Sequence, residues 1–281
     1  MTSPHDHLSN AELAAMTDQL DQLHHDQALP AMKAAVAEWV DSLKEAGQGI
    51  HRKTPSRRNF LLGAAGLGAG GLVLAACGSS SHKSTTPTTA APSGSTPSGS
   101  LTGDLAVAAT AASLENLGVY AYKAGLTAAT AGKLGKVPPA VATFAQTAMA
   151  QHQDHAKAWN SALTAAGKPA VTATDPALTP TVNQKFGQVT NVTQLAQLAL
   201  LVENIAAQTY QNAIPALAAA SSVSVAATIH PVEMQHAAIL YYVLGQYPGI
   251  QGTQANMFST GSPLAFNPTA LARPASDYTG S

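Results

Sequence analysis

Two residue pairs at helical spacing carry the chemistry this sequence can offer: His152-x-x-His155 in AMAQHQDHAKAWNSAL and Glu233-x-x-His236 in IHPVEMQHAAIL. An i, i+3 step puts both side chains of a pair on one helical face, about a turn apart, where two donors can grip one metal ion. Two other helical stretches carry one glutamate each, Glu115 and Glu203. With Glu233 these are the only glutamates after Cys77, and all three sit among Ala, Leu, Val and Ile. A buried carboxylate without a partner is costly or takes up a proton, so such a chain needs something cationic to neutralise it. Lys123 and Lys157 fall on other helical faces. Together with His152, His155 and His236, the glutamates form a mixed nitrogen and oxygen donor set suited to iron or manganese, with zinc a further fit, as one ion or two. Any one of these residues alone has an ordinary structural explanation; six in register point to metal.

The elements that must position them are four helices. The first is predicted over about Thr102 to Ala131, with Gly132 as a left-handed cap, and the second from Pro138-Pro139 to Gly167. The third begins near Asn191 or Thr193 and is ended or kinked by Pro215; the fourth covers about Val223 to Gln246. Short links make helices one and two, and three and four, antiparallel neighbours. Lys168 to Thr190, rich in Pro and Thr, is long enough to cross the bundle. An internal repeat supports two copies of one hairpin: Leu114-Glu115-Asn116-Leu117 followed by Tyr122 matches Val202-Glu203-Asn204-Ile205 followed by Tyr210, with the same Glu-to-Tyr distance. Trp159 and Phe144 read as core, and His230, beside Pro231, as no more than a helix-entry residue.

This all-α pattern resembles the ferritin-like superfamily, specifically bacterial ferritin-like-domain proteins exported as twin-arginine lipoproteins. The resemblance covers about Leu101 to Gly249. It implies two antiparallel hairpins joined by a long crossover around a carboxylate-bridged two-metal centre. Glu115 and Glu203 would be terminal ligands, Glu233 a bridge, and His155 and His236 one nitrogen ligand per ion. Tyr122 and Tyr210 read first as core, with a supporting role behind the ligands open to them. His152 stands where the family has a second bridging glutamate, so a single ion, or two unequal ones, is expected. Oxidation of ferrous iron, or reaction with oxygen or peroxide, is the chemistry the resemblance implies. A metal-free or structurally metallated surface interaction module is the alternative.

Outside 101–249 the chain reads as address and accessory. Ser56-Arg57-Arg58-Asn59-Phe60-Leu61 resembles the twin-arginine export motif, and Leu74-Ala75-Ala76-Cys77, ending on the only cysteine, resembles a lipobox. These imply use of the twin-arginine export machinery, lipidation at Cys77 and an extracytoplasmic protein anchored to the cell membrane. Residues 78–100, nearly all Ser, Thr, Pro, Gly and Ala, read as a tether holding the bundle roughly 25 Å from the membrane. In residues 1–49 the apolar spacing of Leu13, Met16, Leu20 and Leu23, then of Leu29, Met32, Val36, Val40 and Leu43, predicts two helices paired across a turn at Gln27 to Pro30. That hairpin would remain cytoplasmic and be cut away with the 50–77 signal. His5, His7, His24 and His25 read there as solvated, and His82 is assigned nothing. Residues 250–281 read as an extended tail. A net charge of -1 with 10% charged residues leaves no basic stripe for nucleic acid, and no protein partner is indicated.

Overall fold

A computed structural model describes residues 9–47 and 101–245, all within one compact unit. Arg57, Arg58, Cys77, the tether and the C-terminal tail lie outside the described residues, as do His5, His7 and His82. Every regular element among the described residues is helical, and none is long and apolar enough to cross a membrane.

The four bundle helices are α3 (Asp104–Thr130), α4 (Pro139–Ala165), α6 (Val192–Ala213) and α7 (Ala220–Val243), preceded by α1 (Asn10–Leu23) and α2 (Leu29–Gly47); α5 (Thr179–Phe186) lies in the crossover. Local chemistry sets their ends. Gly132 and Gly167 take positive φ just past α3 and α4, where a Cβ would be strained. The Asn191 side chain caps α6 by accepting from the Gln194 amide at 2.9 Å. Asp104, at the start of α3, accepts from the backbone of Ala218 and Ala219 and from Ser222, which ties its helix to the first turn of α7.

Helix α3 pairs with α4, α6 pairs with α7, and α3 packs on α6, the arrangement of two joined hairpins. The crossover is not wholly extended. Asp175 accepts from the Ala177 and Leu178 amides in the turn ahead of its short helix, while Asn116 and Asn160 bond the backbone of Val171 and pin its first half to the bundle. Helix α7 starts close to where it is expected and runs straight through Pro231, so His230 is a mid-helix residue and not a helix-entry one.

The largest correction concerns the N-terminus. Helices α1 and α2 do not fold back on each other; they are joined by one π-helical turn, His24–Ala28, in which the Leu29 amide donates to the His24 carbonyl and the backbone stays right-handed helical. Pro30 is thus accommodated in a nearly continuous helix, because widening the turn ahead of it relieves the ring's conflict with the preceding carbonyl. The 3–4 spacing of apolar residues is the same for a hairpin and for a straight helix, so spacing alone could not tell them apart. This N-terminal helix is wedged between α4 and α7, which otherwise scarcely touch. Leu29, Met32, Ala35 and Trp39 join the core around Trp159, Val225 and Ile229, and Leu13 and Leu20 join the core around Phe144, Ala148 and Leu240. Trp39 meets Trp159 edge to face with ring centroids 6.0 Å apart.

Candidate metal centre

Each of the four bundle helices contributes to one buried polar cluster midway along the bundle. Glu115 comes from α3, His152 and His155 from α4, Glu203 from α6, and Glu233 and His236 from α7; none is more than 1% exposed. The i, i+3 spacing on α4 and on α7 aims both members of each pair inward.

Two donor groups result. Glu115, His152, His155 and Glu233 form one, and His152, Glu203, Glu233 and His236 the other, the ligand atoms of each lying within 4.8 Å of one another. His152 and Glu233 are shared. His152 turns Nδ1 to Glu115 Oε2 at 2.7 Å and Nε2 to Glu203 Oε1 at 3.2 Å, so its ring links the two halves. His155 Nδ1 lies 3.4 Å from Glu115 and 2.8 Å from Glu233, and His236 Nδ1 lies 3.3 Å from Glu203 and 3.7 Å from Glu233. The 2.8 Å contact is close but lacks hydrogen-bond alignment. Both oxygens of Glu233 and Nδ1 of His155 are therefore buried without a hydrogen-bond partner. Orphaned donors of this kind, converging from facing helices, fit a cation.

Both tyrosines are buried in the core, and each also bonds a glutamate. Tyr122 on α3 donates its hydroxyl proton to Glu203 on α6, and Tyr210 on α6 donates to Glu115 on α3. Equal Glu-to-Tyr spacing on two antiparallel helices produces this reciprocal exchange. Trp159, read as core, is fully buried and also donates to the Tyr210 oxygen at 2.7 Å. Residues the sequence reading missed lie behind the cluster. Gln151, adjacent to His152, accepts from His236 Nε2 at 2.9 Å. His24, expected in solvent, is 2% exposed and lies beside His155 with ring centroids 5.5 Å apart. A buried histidine in an otherwise apolar helical stripe was the available signal. His25 is solvated as expected, and His230 stands apart from both donor groups.

One glycine explains how an imidazole fits between the two donor groups. Gly118 lies one turn beyond Glu115, and a Cβ there would sit 2.9 Å from three ring atoms of His152, Cγ included. The matching residue after Glu203 is Ala206, so the repeat departs from symmetry at the point where the larger side chain must fit.

Residues 98–246 match the ferritin-like domain family. The chain belongs to that family. No curated protein and no solved structure matches it. Within the ferritin-like bundle the six donors form a self-neutralising set. Burial works against a charged Glu115, but His155 and His152 outweigh it and hold the carboxyl down at about 2. Glu203 is likewise held well below the usual range, against burial, by His236 and His152. Burial disfavours charge on the imidazoles too, yet the carboxylates raise His155 to about 9, His152 well above its ordinary value, and His236 upward. Both tyrosines are pushed up by burial and by the neighbouring carboxylates, so they remain donors.

Two expectations follow from this geometry. For the metal-free protein, raised histidine values contribute stability that is complete below the unfolded value near 6.5 and is lost as pH climbs through about 9; the depressed Glu115 contributes stability present above 4.5 and lost as pH falls towards about 2. The melting temperature of metal-free protein should therefore peak between these limits, near pH 5 to 6, and fall by pH 9; a melting temperature that rises steadily from pH 6 to 9 would contradict the pairing. Gly118→Ala should cost about 1–3 kcal/mol despite replacing a mid-helix glycine, since the ring of His152 has to move. Chemical denaturation of the two proteins measures this, and a stabilised variant would show that the ring is free to yield.

Proposed function

We propose that this is a membrane-tethered, extracytoplasmic metal-binding protein that holds one or two ions of iron or manganese, with zinc a further fit, and that oxidises ferrous iron or reacts with oxygen or peroxide. The observation that carries the metal reading is the pair of buried donor groups sharing His152 and Glu233, with Glu233 left without a hydrogen bond. Iron bound there would supply one-electron redox chemistry in a site closed to bulk water. The chain's own residues would do the rest. Glu115 turns Oε2 to His152 and accepts from Tyr210 at Oε1, while Glu203 turns Oε2 to His236 and at Oε1 accepts from Tyr122 and faces His152, which fixes the carboxylate planes. Glu233 can reach either half. An apolar pocket lined by Leu195, Leu198, Val202 and Leu240 ends on Tyr122 and Phe144, whose rings contact His152 and His236, and offers a small apolar oxidant an approach.

Membrane attachment rests on the lipobox-like Leu74-Ala75-Ala76-Cys77, and export on Arg57-Arg58. A second reading, a metal-free surface interaction module, is favoured by one observation: three imidazoles and three carboxylates can balance each other's charge without an ion.

Anaerobic reconstitution of the full chain with iron(II), manganese(II) or zinc(II), followed by elemental analysis, separates the two readings. One or two ions per chain are expected, and none at useful occupancy leaves the interaction module. Because His152 supplies no negative charge where a second carboxylate would bridge, the second ion should bind more weakly than the first, and His152→Glu should strengthen it. His155→Ala should instead weaken the Glu115 half. Two equally tight ions in the unaltered protein would refute the weakened bridge. For the anchor, Cys77→Ala should release the protein from membranes or leave it unprocessed, and intact-mass measurement of an unmodified Cys77 in membrane-extracted mature protein would sink the assignment.

A further inference from the structure

Helices α4 and α7 carry four of the six donors, yet they scarcely touch, and the N-terminal helix fills the seam between them. Its π-turn lies level with the metal centre. π-turns disturb the regular ladder at some cost and recur at functional sites; here the turn begins at His24, whose two ring nitrogens are both buried and without a hydrogen bond. The nearest charge is Asp154, 3.7 Å from Nε2.

A histidine that binds metal through one nitrogen holds its orientation by donating the other N–H to a fixed acceptor. His236 does so visibly: Nδ1 faces Glu203 and Glu233 while Nε2 donates to Gln151, whose own amide reaches Asp21 of the N-terminal helix at 3.4 Å. His155 also presents Nδ1 to its carboxylates, and its neighbour from the N-terminal helix is His24. We infer that the N-terminal helix is the outer support of the metal centre, with His24 positioning His155, and Asp21 positioning Gln151 and through it His236. The inference rests on the metal reading but not on the fate of Cys77. It assigns to residues 10–47 a role in the site itself, a support that processing at Cys77 would sever from the bundle.

His24→Leu tests it in the full chain. A purely structural imidazole, buried and unpartnered, would be replaced by leucine with equal or higher melting temperature and no effect on metal. A positioning role predicts the same unimpaired melting temperature but about ten- to a hundredfold faster release of cobalt(II) to a competing chelator, with an altered visible cobalt spectrum, and substantial recovery in His24→Gln. Release within twofold of the unaltered chain and an unchanged cobalt spectrum would overturn the inference. Asp21→Ala should act in the same direction more weakly, and Asp21→Asn, which keeps the acceptor, should restore it. Ring nitrogen resonances of His155 in metal-free, ¹⁵N-histidine-labelled protein give a second readout. They should move in His24→Leu, and if they stay in place the support is refuted whether or not the protein binds metal; failure of the unaltered chain to take up cobalt would instead count against the metal reading alone.

Discussion

Three carboxylates buried without a lysine or arginine impose the constraint on which the rest of this bundle depends. An alanine-rich interior cannot solvate them, and each would be protonated or expelled if left alone. The solution is to bury three imidazoles at the same level, so that each charge is opposed by one of the other sign within about 4 Å. That requirement fixes the axial register of all four helices. A slip of one residue on any of them would rotate its donors by about 100° and leave a partner uncompensated. Such a cluster is equally prepared to exchange its protons for a cation, which is why the metal-free state can be well formed and still act as a binding site.

Composition made the six donors legible in the sequence. Glutamate is so scarce after Cys77 that its placement carried information, and helical spacing assigned the inward faces. The Glu-to-Tyr repeat put the tyrosines at matching places in the two hairpins, but only the antiparallel packing of α3 and α6 reveals that each tyrosine serves the other copy's glutamate. Gln151 was not legible. It lies next to His152 and, on spacing alone, belongs to a neighbouring face; its role depends on how α4 meets the N-terminal helix.

Proline misled where it marked a turn. Pro30 suggested a boundary, yet it lies within continuing helical structure, as Pro231 does inside the fourth helix. Removing one N–H and crowding one carbonyl is a local cost, which a π-turn or tight packing on both sides can absorb. Where a helix gains as much burial as Leu20 and Trp39 give the N-terminal one, that local cost does not decide the outcome. Tertiary packing overrode the breaker signal, and with it the inference that His24 was solvated.

The same burial bears on what a cut at Cys77 would do. Leu13, Leu20, Leu29, Met32 and Trp39 are each no more than 9% exposed, and at roughly 1.5–3 kcal/mol per large apolar side chain their gross burial is about 7–15 kcal/mol. Bimolecular association of a severed helix costs about 4–15 kcal/mol in lost freedom. While the chain is continuous, the helix is present at a high effective concentration and that cost is largely avoided. Cleavage would change no contact in the core, yet it would turn a fixed wall of the cluster into a ligand whose residence depends on its concentration. A protein that loads metal before such a cut and works after it would therefore have two centres built from the same six donors, distinguished by whether the seam between α4 and α7 is filled.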